Sequence, residues 1–192
     1  MHIDLNLIVI RVKNILLEPD QEWDAIQREE MTVADVYKRY LFAAAAVPAV
    51  AHLVGLIISC SAQPIAQMLL SISLAVFHVA LFYGLWLGSV HVTAFLINRL
   101  APTFQSRPNF ANAVKLSGFA WTAVWAVGIL LAAPILRPLL VLALFYAIYI
   151  LYLGLPKLMA TPHDRVIYFT IIIGVVMFVL FLMTGKFGNS LI

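Results

Sequence analysis

Phe145-Tyr-Ala-Ile-Tyr-Ile-Leu-Tyr-Leu-Gly-Leu-Pro-Lys-Leu-Met-Ala-Thr-Pro-His-Asp-Arg165 begins as an apolar run and ends as a polar turn. It predicts a membrane helix over 139–155 that breaks at Gly154 and Pro156, a loop, and a return through the membrane over 166–184. Gly costs helix stability, and an interior Pro removes one backbone donor, so the pair reads as a hinge ending the helix. The whole chain supports that reading. Of 192 residues, 64% are hydrophobic and 11% charged, and mean hydropathy is +0.99. Soluble domains are roughly half apolar and about 25% charged, so the surplus apolar surface is expected to face lipid.

Working outward, three more spans are expected over 40–60, 67–97 and 113–132. A bilayer crossing takes about 20 apolar residues. The 31-residue stretch at 67–97 is therefore one long tilted helix, too short for two crossings and a turn. Pro48 should kink the first span. Ser61-Ala-Gln-Pro64 reads as a tight turn, and 186–192 as a short tail outside the membrane. The fold class is all-α: a polytopic bundle of five transmembrane helices in a domain over 39–185, preceded by an amphipathic arm at 1–38.

The arm holds eight of the nine acids, and no carboxylate lies between Val36 and His163. Leu5–Leu17 is too short to span and is expected to lie on the membrane as an interfacial helix. Pro19 can occupy the first turn of a second short helix. Trp23 suits the membrane–water boundary. The acids read as a solvated helix face, and Thr32 with Asp35 as a helix start. With the N-terminus inside, Arg11, Lys13, Arg28, Lys38, Arg39, Arg99, Arg107, Lys115, Lys157 and Arg165 are cytosolic, and only Arg137 and Lys186 lie outside. This bias matches the positive-inside rule. It places the N-terminus in the cytosol and the C-terminus outside, and makes the first span an uncleaved signal anchor.

Candidate sites are sparse. Gly84-Leu-Trp-Leu-Gly88 is a GxxxG pattern that allows close helix approach. Phe77, Gly84, His91 and Asn98 lie a heptad apart, with Ser73 nearby, so this line is expected to face the packed side of its helix. Gly84 and Gly88 would then serve packing within the chain, with homodimerisation or a lined pore as alternatives. His52, His78 and His91 fall within spans, where ionisable residues are candidates by default. His78 and His91 are about 20 Å apart along one helix and cannot share a metal. His52 and His78 could meet across two helices, yet two ligands make a poor metal site. Tyr146, Tyr149 and Tyr152 repeat every third residue and point to packing or a polar groove. No metal, cofactor or nucleic-acid motif stands out. HExxH, GxSxG, Walker and CxxC patterns are missing from the sequence, and an enzyme is not expected.

Four stretches carry a resemblance. They are Asn14-Ile-Leu-Leu-Glu-Pro-Asp-Gln-Glu-Trp23, Tyr40-Leu-Phe-Ala-Ala-Ala-Ala-Val-Pro48, Arg99-Leu-Ala-Pro-Thr-Phe104, and Tyr149-Ile-Leu-Tyr-Leu-Gly-Leu-Pro156 with Leu158-Met159 and Thr161-Pro162. Together they resemble the bacterial branch of the Yip family of Ypt/Rab-interacting five-span membrane proteins. The resemblance implies five helices, a cytosolic N-terminus and the bacterial inner membrane. Eukaryotic members bind Rab GTPases through a longer N-terminal domain, whereas here only Glu18-Pro19 and Trp23 stand in its place, so GTPase binding is not carried over. The function expected is a non-enzymatic integral membrane protein acting through membrane lipids, a membrane-protein partner or a second copy. A small transporter or channel for an ion, metal or small solute, built around Ser73, His91 and Asn98, is the alternative.

Overall fold

The computed structural model of the protein describes residues 5–60 and 65–189. The expected turn at 61–64 and the last three residues lie outside the described residues. Those that are described form helices joined by short turns, with no strand among them. The helices are α1 (Leu5–Leu17), α2 (Pro19–Arg28), α3 (Val33–Val36), α4 (Phe42–Cys60), α5 (Ile65–Leu100), α6 (Phe110–Val127), α7 (Leu139–Met159) and α8 (His163–Asn189). A π-helical turn, Tyr37–Leu41, fuses α3 to α4, and 3-10 turns at Gly128–Ala132 and Pro134–Leu136 link α6 to α7. Five stretches are long and apolar enough to cross a membrane: Val33–Ile58, Ser71–Phe104, Phe110–Ala132, Leu139–Met159 and His163–Lys186. The protein is therefore an all-α, five-span membrane protein. α5 is one helix of 36 residues, about 54 Å at 1.5 Å per residue, longer than the roughly 30 Å hydrocarbon core.

α6 is the central post. In its most apolar window 78% of residues are buried, against 33–50% in the other four spans. Trp121, Trp125 and Phe119 are its large buried side chains. Small residues let its neighbours close in. A Cβ on Gly118 would lie 2.5 Å from Leu41 Cδ2, and one on Gly128 would lie 2.6 Å from Cβ of Pro48. Pro48 sits inside α4, so the glycine of one helix receives the proline ring of the other. Polar side chains stitch the same helix to its neighbours. Ser117 Oγ donates to the Val90 carbonyl at 2.9 Å, and the Tyr40 and Thr122 hydroxyls pair at 2.8 Å. In an apolar medium such bonds satisfy groups that would otherwise be costly to leave unpaired.

Two expectations are corrected here. First, α7 does not break at Gly154 and Pro156. It continues to Met159, and its cap is Ala160 in the left-handed region at φ 51°, ψ 39°. One proline near a helix end removes one donor but leaves room for a further turn, so the polar Thr161-Pro162 pair, not Gly154-Leu-Pro156, closes the helix. Second, the acidic face of the arm is solvated only in part: Glu18, Asp20 and Glu30 are exposed, but Glu22 is buried. α1 and α2 form a helical hairpin bent at Glu18, whose backbone is non-helical at φ −134°, ψ 57°, with Pro19 at the first helical position of α2. The hairpin packs against α6 and α7, α1 on the former and α2 on the latter. α1 is amphipathic because one face, Ile8, Arg11 and Ile15, meets protein, while Leu7, Val9, Ile10 and Leu17 stay exposed.

The Thr32 start is a reciprocal capping box. Asp35 N–H donates to Thr32 Oγ1 at 3.2 Å, and Thr32 N–H donates to Asp35 Oδ2 at 3.1 Å.

Candidate functional site

The hairpin docks through a ladder of contacts along α7. Tyr146 O–H donates to the Leu16 carbonyl at 2.7 Å, Trp23 Nε1–H to the Ile150 carbonyl at 3.0 Å, and Gln27 Nε2–H to the Lys157 carbonyl at 2.6 Å. Residue numbers rise together on both helices, so α2 runs parallel to α7. Tyr146 precedes Met159 by 13 residues, roughly 20 Å along the helix, so the bend of the hairpin reaches well into the bundle. Trp23 is fully buried. Its ring fills the space a side chain at 154 would take: a Cβ on Gly154 would lie 2.7 Å from Trp23 Cε2 and 2.5 Å from Leu116 Cδ1. Gly154 is thus a notch for the arm's tryptophan and not a hinge, and Trp23 is an anchor buried inside the protein. Phe119 meets the same indole edge-on at 6.1 Å.

Charge holds the rest of the hairpin. Arg11 donates to Glu22 at 2.7 Å and to Glu29 at 2.5 Å, while Asn14 donates to the other oxygen of Glu22 at 3.0 Å. The guanidinium also lies over the Phe119 ring at 5.7 Å. Buried Lys115 of α6 donates to the Glu29 carbonyl at 2.5 Å, closing the C-terminal end of α2. Lys157 bridges Asp20 and Asp24, each at 2.8 Å. Sequence reasoning missed this lattice. Its signal was present: acids confined to the arm, facing basic residues set at the ends of apolar spans.

The other predicted residues divide. His52 and His78 do come together, ring centroids 5.8 Å apart, with Phe82 5.0 Å from His52. Among the described residues no group of three or more His, Cys, Asp or Glu could hold a metal. His91 is exposed on α5, with Nδ1 3.3 Å from the Tyr37 hydroxyl and Phe110 against its ring. Asn98 is half-buried, and its Oδ1 has no hydrogen-bond partner. Tyr149 packs on Tyr146 at 5.8 Å but is itself 48% exposed, and Tyr152 is 38% exposed. The three tyrosines therefore line no common groove.

Gly84 and Gly88 are the clearest departure. A Cβ on either would meet nothing within 4 Å. Their face carries exposed Phe77, Leu81, Leu85, Val92 and Phe95. The packed side of α5 instead presents Phe82, Trp86, Val90, Thr93 and Ile97. A heptad line identifies residues sharing a face but not which face meets the bundle; here the larger buried side chains decide it.

The stretches that carry the resemblance converge at the arm end. Trp23 meets Ile150 and Gly154, Tyr40 meets Phe119 at a tilt with ring centroids 4.5 Å apart, and Phe104 stacks on Phe169 at 4.5 Å. Ser106 O–H donates to Thr161 Oγ1 at 2.9 Å, and Arg107 N–H to the Met159 carbonyl at 2.8 Å. Residues 13–184 match the family model of the Yip1 domain. The chain belongs to the Yip1 domain family. The matched region contains all five spans nearly to their ends, and it takes in α2 and the Trp23 anchor. Two Escherichia coli proteins, each named inner membrane protein YohC, from strain K12 and from strain O6:H1, are 28% identical to it over 171 residues. The match covers 85% of this chain and 88% of each relative. No solved structure matches this Yip1-domain chain.

Proposed function

We propose that this Yip1-domain protein is a non-enzymatic, multi-pass protein of the bacterial inner membrane that acts through lateral contact with another membrane helix, foremost that of a second copy. The name of its Escherichia coli relatives supports the compartment. The open Gly84–Gly88 face of α5 carries the reading. In the same chain Gly55, Gly118, Gly128 and Gly154 each have a neighbour closer than 3.0 Å to a built Cβ. Gly84 and Gly88 have room for a helix and none in place. Lipid packs poorly into a small-residue groove, and close backbone approach is the main gain available to helices in a bilayer. The arm end faces the cytosol.

Cysteine cross-linking in native membranes tests this. Leu81→Cys or Leu85→Cys, in a Cys60→Ser background, should give a disulfide-linked dimer, and Gly84→Leu with Gly88→Leu should abolish it. A chain that stays monomeric and captures no membrane partner from this face would overturn the reading. Transport is the second reading, motivated by Ser73 and His91, which lie exposed on the same face. They could line a path only between copies. Solute flux in proteoliposomes that is lost with His91→Ala would favour it.

A further inference from the structure

At the end of the bundle opposite the arm lies a cavity of about 440 Å³, within the roughly 300–1,000 Å³ typical of small-molecule sites. Its inner wall is aromatic and apolar, with Phe82, Trp86 and Leu140 all buried. Its mouth carries Arg137 and Lys186. These are the only two Lys or Arg side chains at that end of the chain's five spans, and both line this one cavity. No Asp or Glu is among the described residues that line it. Positive-inside bias disfavours basic residues at the outer ends of spans, so topology offers no reason for the pair to meet here. A ligand with a negative head does.

The apolar interior adds a tail. Val141 and Leu182 line the cavity and are also 37% and 45% exposed on the outer surface of the bundle. The cavity therefore communicates with the lipid-facing side of α7 and α8. Trp86, in its wall, holds a buried Nε1–H with no hydrogen-bond partner among the described residues. This shape suits a ligand with an apolar chain entering past Val141 and Leu182 and a charged head beside Arg137 and Lys186.

We propose that this cavity binds an anionic phospholipid, one acyl chain inside and its phosphate held by Arg137 and Lys186. Basic residues near a membrane surface attract anionic lipid, so losing both should weaken binding by about tenfold or more.

The test uses the full chain in a mild zwitterionic detergent, titrated with phosphatidylglycerol, phosphatidylcholine or inorganic phosphate and read by native mass spectrometry. Phosphatidylglycerol should bind at least tenfold more tightly than phosphatidylcholine, and inorganic phosphate should not displace it. Arg137→Gln with Lys186→Gln should remove that preference, whereas Arg165→Gln, at the other end, should not. Lys186→Gln alone, at an exposed position, gives a partial loss and guards against misfolding of the double variant. Val141→Trp should weaken uptake of either lipid by narrowing the apolar entrance. Equal binding of the two lipids, or an unchanged preference in the charge variants, would overturn the proposal. Full displacement by phosphate would replace it with a site for a small free anion.

Discussion

At the scale of a residue, Trp23 decides more than any other side chain. It is fully buried, donates to a helix carbonyl, and stands where a side chain at 154 would stand. Truncating a buried tryptophan costs about 3–5 kcal/mol, whereas Trp23→Phe keeps most of the packing and loses one hydrogen bond, about 1 kcal/mol. Gly154→Ala forces its new methyl against Leu116 and the indole, and overpacking of this kind costs about 1–3 kcal/mol. Trp23→Ala should therefore release the arm most, Gly154→Ala less, and Trp23→Phe least. The rate of tryptic cleavage at Arg28 in detergent reads that order. Equal protection in all three would mean that the indole does not anchor the hairpin.

At the scale of an element, the α1–α2 hairpin rests on two ion-pair groups of unlike depth. Arg11 and Glu22 have side chains only 14% and 8% exposed. Asp20 and Asp24, which meet Lys157, are 67% and 49% exposed. Exposed pairs contribute about 0–1 kcal/mol, but breaking a buried pair costs about 3–5 kcal/mol because the partner charge is stranded. Glu22→Gln should speed hydrogen exchange across α1 and α2 while leaving α6 protected, and Asp24→Asn should change little. Adding Arg11→Met to Glu22→Gln should restore part of the protection, since the buried guanidinium is then gone and the Glu29 carboxylate that loses it is 37% exposed to solvent. The five spans were legible in the sequence because a run of apolar residues of crossing length has few other uses. The docking of the hairpin was not. An amphipathic helix reads the same whether its polar face meets water or buried partners, and only the pairing of Arg11 with Glu22 across a bend distinguishes them. The rotation of α5 was hidden for a related reason. Gly84-Leu-Trp-Leu-Gly88 has the same spacing whether its glycines meet a helix of the same chain or an outside one.

At the scale of the whole molecule, charge is sorted along the bundle, and that sorting predicts an orientation. Ten Lys and Arg lie in the arm or at the arm end of the spans, from Arg11 and Lys13 to Lys157 and Arg165, against Arg137 and Lys186 at the far end. Short loops rich in Lys and Arg remain cytosolic, and acids count for little in that rule, so the acidic arm does not oppose it. With an odd number of spans, the C-terminus is then expected on the other side. Alkaline phosphatase fused at the C-terminus should be active and a fluorescent protein there should be dark, with the reverse at the 105–109 connection. Arg137 and Lys186 run against the bias, so replacing both by Gln should leave this pattern unchanged while removing the head-group site. If the two substitutions inverted the reporters instead, the pair would serve topology, and the cavity they share would lose its clearest reason to hold them. A C-terminal reporter active only in the cytosol would put the arm on the outer side of five crossings, and the proposed orientation would fall with it.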